Sequence, residues 1–222
     1  MNALQSTLHF LFPPMCTCCR SPLEDTHTTL CASCWSQLLP IDPSSRCPRC
    51  FHPYCSNHRC PKHLTVLSKN AICFEDSPAL QTLRNAPNQI DALAGLLFFY
   101  WHSLSWPTPE VIVPTPGDWF SKKSWEMRKK ISKTFSLFLH LPAPVLPSLQ
   151  RDKLPIPHLE IEQQENADLS CMTFQPSVIN KSVLIIHDEL STGISLSLTA
   201  QALLQYGASR VYGLSLYETS FS

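Results

Sequence analysis

Nine of the eleven cysteines fall between Cys16 and Cys60, and they fall in a regular spacing. "CTCC" offers Cys16 and Cys19, "CASC" offers Cys31 and Cys34, "CPRC" offers Cys47 and Cys50, and "CPKH" offers Cys60 and His63. Two residues between ligands let a tight turn aim both sulfurs at one point, about 2.3 Å from a zinc ion, and two such pairs complete a tetrahedron. A disulfide framework needs an oxidising compartment, and no export signal accompanies these cysteines. The spacing therefore predicts structural zinc. Cys18 is left over, and Cys55 competes with Cys60 for ligand duty.

Ligand pairing has two solutions. Sequential pairing puts Cys16, Cys19, Cys31 and Cys34 on one ion and Cys47, Cys50, Cys60 and His63 on the other. A cross-braced arrangement alternates them. The sequential solution closes shorter loops and is the one expected. About sixty residues with this many prolines bury little apolar surface, so the module should depend on its metal to fold. We place it at residues 1–65 and a second domain at 66–222.

That second domain has an α/β rhythm. "NAICFED" reads as a short strand, after which Ser77 caps a helix with Pro78 at its first position. Pro87 interrupts that helix, and 88–104 resumes one. "VIVP" at 111–114 reads as a buried strand, 121–139 as a helix, 183–187 as a strand, 194–206 as a helix and 210–217 as a strand. Residues 141–180 are broken by proline and carry no clear period. Leu196, Ala200, Leu203 and Gly207 form a stripe that can lie on a sheet, with Gly207 as a left-handed C-terminal cap. Strand, loop, helix and strand make a crossover unit, in which ligands sit beyond the carboxyl ends of the strands. His187 to Ser195 would then line the binding edge.

Within that edge, "HDELSTGIS" carries a carboxylate, Asp188, then Leu190, Ser191, Thr192, Gly193, Ile194 and Ser195. Backbone N–H groups at a helix start, helped by hydroxyls, can cradle a phosphate, and the carboxylate can grip ribose hydroxyls. An ordinary βα turn with a capping serine uses the same residue types.

Charge gives no global field: seventeen basic and seventeen acidic residues leave a formal net charge of +0. Nucleic-acid affinity must therefore be local. The dense basic run is "KKSWEMRKKISK", with Lys122, Lys123, Arg128, Lys129, Lys130 and Lys133 around Trp125. Basic side chains beside an aromatic platform suit single-stranded DNA, and a solvated helix face is the plainer reading. "ALAGLLFFYW" is too short to span a bilayer as a helix, and "LHFLF" lacks the flanks of a signal peptide. The chain is expected to be cytoplasmic.

The succession "FPPMC", "CASCW", "CPRC", "VIVPTP" and "VLIIHDELSTGIS…ALLQYGASRVYGLSL" resembles the ComF family of competence-associated, phosphoribosyltransferase-like proteins. The resemblance covers nearly the whole chain and marks a divergent member. It implies a type I phosphoribosyltransferase-like sheet flanked by helices, preceded by a small cysteine-rich zinc-binding module. It also implies a role in the uptake or handling of single-stranded DNA during natural transformation, alongside other DNA-uptake proteins. The ligand implied is of the ribose 5-phosphate type, and Asp188 is the implied catalytic carboxylate. An active member would use phosphoribosyl pyrophosphate with magnesium. This sequence departs from the family pattern, with His187 at the first of two acids and Glu189 at an apolar place. A register shifted by one, with Asp188 and Glu189 as the acid pair, restores two carboxylates but shortens the loop. The family's arginine-glycine-phenylalanine-asparagine-glutamine stretch, expected near Lys123–Met127, is reduced to "KSWEM", and the lysine usual in the helix before the second strand falls at Ala86. The pocket is thus expected to be partly eroded, with activity as a transferase left open.

Overall fold

The computed structural model describes residues 14–23, 29–48, 51, 66–86, 89–116, 122–149, 172–190 and 193–218. Its elements follow the α/β rhythm. A single turn, α1 (Ala32–Trp35), lies in the cysteine-rich part. Then come β1 (Lys69–Glu75), α2 (Pro78–Asn85), α3 (Ile90–Ser103), β2 (Val111–Pro114) and α4 (Lys122–Phe138). A two-residue pair, β3 (Ser148–Leu149) and β4 (Met172–Thr173), precedes β5 (Ser182–Leu190), α5 (Ile194–Gln205) and β6 (Arg210–Glu218).

Four strands form one parallel sheet in the order β1, β6, β5, β2. Parallel strands are connected by crossovers that cover both faces, so their sequences should be apolar without alternation. The strands obey this: Val183 to Ile186 and Val211 to Leu216 are all buried. The hydroxyl of Ser77 accepts from the Leu80 N–H at 3.2 Å, and Pro78 opens α2. At the other end of α5, Gly207 takes φ 92°. Its N–H donates to Leu204 O, and the Ala208 N–H donates to Leu203 O, each at 3.0 Å, the double bond of a glycine C-terminal cap.

The cysteine-rich part is not a separate bead. Pro40 bridges Phe74 antiparallel, the Ile41 N–H donates to Cys73 O at 2.9 Å, and the Asn70 N–H donates to Pro48 O at 2.8 Å. The Tyr100 hydroxyl donates to Ile41 O at 2.7 Å. These bonds cover the outer edge of β1, which would otherwise present unpaired backbone groups. Leu30, Ile41 and Phe51 join the same apolar core as the sheet.

One boundary differs in a way that bears on function. The sequence reading gives a strand over 183–187, whereas β5 continues to Leu190, which pairs with Glu218 of β6. Asp188 and Glu189 stay in the strand because both find cationic partners there.

Candidate functional site

The carboxyl ends of β2, β5 and β6 meet the end of α2, the first half of α4 and the start of α5. Strand alternation sends neighbouring side chains to opposite faces. Arg84, in the last turn of α2, nevertheless reaches both acids: its Nη2 lies 3.1 Å from Glu189 Oε2 and 3.9 Å from Asp188 Oδ2. Arg128 approaches Asp188 from α4, with Nε 3.5 Å from Oδ1. The side chains of Arg128 and Asp188 are only 4% and 6% exposed, which makes this a buried ion pair.

Arg128 is engaged on its other side as well. Arg128 Nη1 donates to Thr115 Oγ1 at 2.9 Å and to Pro116 O at 3.1 Å. Thr115 Oγ1 in turn stands 2.7 Å from His187 Nδ1. The Tyr217 hydroxyl donates to Glu189 Oε2 at 2.6 Å, contacts Arg84 Nη1, and its ring lies under the Arg84 guanidinium at 5.2 Å. Burial, reinforced by the Glu189 hydrogen bond, pushes the Tyr217 phenol well above its ordinary range. Two carboxylates and two guanidiniums thus close on one another. Magnesium requires near-octahedral oxygen donors at about 2.0–2.1 Å. The carboxylates of Asp188 and Glu189 are instead committed to guanidiniums, so these residues as arranged do not fit that ion.

Beside this cluster, Gly193 takes φ 75° and opens α5 with no side-chain cap. The Ser197 N–H donates to Gly193 O at 2.9 Å, starting the helical ladder. A side chain at Gly193 would meet only Leu190 at 3.8 Å, so it is the backbone angle that calls for glycine here. Leu190 is buried at the end of β5, Ile194 is the first helical residue, and Ser195 is half-buried. Ser191 and Thr192 lie outside the described residues.

The first cysteine set comes together as sequential pairing requires. The sulfurs of Cys16, Cys19, Cys31 and Cys34 all lie within 4.8 Å of one another, against about 3.8 Å for the edge of an ideal zinc–thiolate tetrahedron. Burial pushes the Cys16 thiol up, but N–H groups of Cys19, Cys31 and Cys18 outweigh it and bring the thiol down to about 6. Hydrogen bonds from Ser21 and Cys34 lower the Cys31 thiol as well, whereas burial and the neighbouring cysteines push Cys34 up, so the case for zinc rests on the convergence of the four sulfurs. These four residues fit structural zinc. Cys18 stands outside the set. Cys47 is buried, while Cys50, Cys55, Cys60 and His63 lie outside the described residues.

The basic helix divides by face. At 3.6 residues per turn Arg128 sits about 20° from Phe135, so it belongs to the inward stripe with Met127, Ile131 and Phe135. It is therefore separated from the exposed lysines it was expected to join. Lys123, Lys130 and Lys133 are exposed. Lys123 Nζ donates to Asn85 Oδ1 at 3.0 Å. Lys129 pairs with Glu126 at 2.7 Å and rests over the Trp125 ring at 5.5 Å. Lys122 begins the helix.

Sequence reasoning missed Arg84, Thr115 and Tyr217. Ala86, where a family lysine was sought, is only the residue that ends α2, and the cation at the site comes from Arg84 two positions earlier. A lone arginine in a last helical turn gives no signal, since it is also favoured there by the helix dipole.

A model of the double zinc ribbon domain matches residues 7–73. No curated protein matches the chain. Among solved structures, the chain is similar to adenine phosphoribosyltransferase from Leishmania tarentolae, with 16% identity over 66% of this chain and 76% of that one, at a TM-score of 0.42. It is also similar to a hypoxanthine phosphoribosyltransferase from Staphylococcus aureus, with 16% identity, 60% and 65% coverage and a TM-score of 0.39. Against UMP synthase of Leishmania donovani the identity is 16%, the TM-score 0.39, and the chain covers 25% of that protein's length with 66% of its own. Among the described residues no helix is long and apolar enough to cross a membrane. The chain joins a zinc-ribbon sequence to a parallel α/β sheet flanked by helices.

Proposed function

We propose that this is a ComF-like protein that uses a phosphoribosyltransferase-type sheet to bind rather than to turn over a ribose 5-phosphate-type ligand. In this reading it works in the cytoplasm as a zinc-dependent adaptor in the handling of single-stranded DNA during natural transformation. One observation carries the preference for binding. Among the described residues the start of α5 has no side-chain cap, while Asp188 and Glu189 at the end of β5 are already compensated by Arg84 and Arg128. A carboxylate so engaged is poorly placed to assist departure of pyrophosphate. The ligand's phosphate would take the N–H groups of residues 191–195, with Leu190 and Ile194 as the hinges of the loop. Phosphates of a DNA strand would meet Lys123, Lys130 and Lys133.

A second reading is favoured by the position of Asp188 and Glu189 together at the strand end. It is an active phosphoribosyltransferase, with magnesium and phosphoribosyl pyrophosphate and with Asp188 as the catalytic carboxylate. Titration calorimetry with ribose 5-phosphate and with phosphoribosyl pyrophosphate, combined with an assay for pyrophosphate release over a panel of purine and pyrimidine acceptors, separates the two. Binding without release supports the adaptor. Brisk release with any acceptor replaces it by the enzyme, and absence of all binding reduces the loop to a βα turn.

A further inference from the structure

We infer that the acidic end of β5 carries its own cation: Arg84 holds the place at which a divalent metal would bridge the two carboxylates and a ligand, so a phosphate-bearing ligand is taken there without magnesium. The inference rests on the reading of the α5 start as a phosphate site.

Three observations support it. Among the described residues, Arg84 is the group that forms ion pairs with both Asp188 and Glu189. It is held there from a third side by the ring and hydroxyl of Tyr217, so the cation is fixed in position rather than passing through. Asp188 has a second guanidinium, Arg128, locked by bonds to Thr115 and Pro116. A divalent ion entering between the acids would meet two positive charges at close range. It would also have to shed most of its hydration shell to do so.

Arg84 is also the member of the arginine pair that faces solvent, its side chain being 27% exposed against 4% for Arg128. A guanidinium has five donors in a planar fork, which matches phosphate geometry. The donors that Asp188, Glu189 and Tyr217 leave over can meet an anion arriving at the start of α5. Arg84 would then do two things at once, neutralising the carboxylates and recognising the ligand, with no change in the formal charge of the protein.

The test uses the zinc-loaded full chain. Mn2+ serves as a paramagnetic probe, read by water-proton relaxation, and ribose 5-phosphate as the anion, read by calorimetry in magnesium-free and magnesium-containing buffer. Wild type should show no Mn2+ site that Glu189→Gln removes, and Arg84→Lys should behave alike. Arg84→Met should gain such a site, at least about tenfold tighter than any binding by wild type, and lose it in Arg84→Met/Glu189→Gln. Should Arg84→Met prove unfolded by circular dichroism, Arg84→Gln is read in its place. Ribose 5-phosphate should bind wild type equally well in both buffers. A wild-type Mn2+ site sensitive to Glu189→Gln, no gain on removing Arg84, or sugar-phosphate binding that needs magnesium would each overturn the inference. If ribose 5-phosphate binds in neither buffer, the phosphate reading of the loop fails, and the Mn2+ measurements still decide whether Arg84 is the built-in cation.

Discussion

Arg128 Nε stands 3.5 Å from Asp188 Oδ1, and both side chains are almost fully withdrawn from water. Breaking such a pair on one side leaves an uncompensated charge in the interior, which costs about 3–5 kcal/mol. Asp188→Leu, which strips Arg128 of its carboxylate, should lower the free energy of unfolding by that order, and Arg128→Met by less, since Arg84 still lies 3.9 Å from Asp188. The double variant should recover a large part of the loss. Chemical denaturation of the three variants checks this. Equal additive losses would show that the two groups do not compensate one another.

Gly193 supports a different expectation. At φ 75° an alanine has room but not the preferred backbone. The strain of a left-handed L-residue, about 1–2 kcal/mol, exceeds what alanine gains by restricting the unfolded chain. Gly193→Ala should therefore destabilise by about 1 kcal/mol and weaken ribose 5-phosphate binding. Gly193→Val should do more of both. Wild-type affinity in Gly193→Val would take the ligand away from this turn.

Zinc removal should be felt where the cysteine-rich part touches the sheet. Cys34→Ser should cost one zinc ion per chain by elemental analysis, and Cys18→Ser none. In the metal-depleted protein, amide exchange should accelerate at Ile41 and Asn70, whose N–H groups bond across the contact, while Val183 to Ile186 stay protected. Unchanged exchange at both amides would mean that the contact survives without metal.

The lysines of α4 can be separated by their surroundings. Lys130 and Lys133 are exposed, so Lys130→Gln/Lys133→Gln should weaken single-stranded DNA binding and flatten its logarithmic salt slope by about 1.4. Lys129, engaged with Glu126 and Trp125, should matter less. An unaltered slope in the double variant makes this a solvated face.

Alkaline titration probes the Tyr217 contact. Burial raises the Tyr217 phenol, and burial together with the nearby Cys73 raises Tyr100. Well below the ordinary value of 10 neither folded nor unfolded chain releases these protons. Above it the unfolded chain does so first, so stability should fall as pH rises. Absorbance should show phenols that ionise only with unfolding, and one fewer in Tyr217→Phe.

Much of this could be read from residues alone. Ser77 and Pro78 mark the start of α2, Gly207 the end of α5, and the CxxC spacing the four sulfurs that converge. What escaped were features set by distant partners. β5 runs on through Asp188 and Glu189 because Arg84, far back in the chain, neutralises both. Arg128 lies within the basic run of α4, but its angular nearness to Phe135 turns it inward, where Asp188 receives it. Local pattern locates elements, while long-range charge pairing decides which way a polar side chain points.

The strand order also constrains how the molecule is made. β6 pairs with β1 on one side and β5 on the other, so Lys69 acquires its partner Tyr212 only after nearly all the intervening chain has been synthesised. While the ribosome is still at work, the backbone neighbours of β1 among the described residues are the segments around Pro40 and Ile41 and at Pro48. A metal-ordered amino-terminal segment would thus act as a splint during translation, shielding a bare apolar strand from intermolecular pairing until β6 arrives.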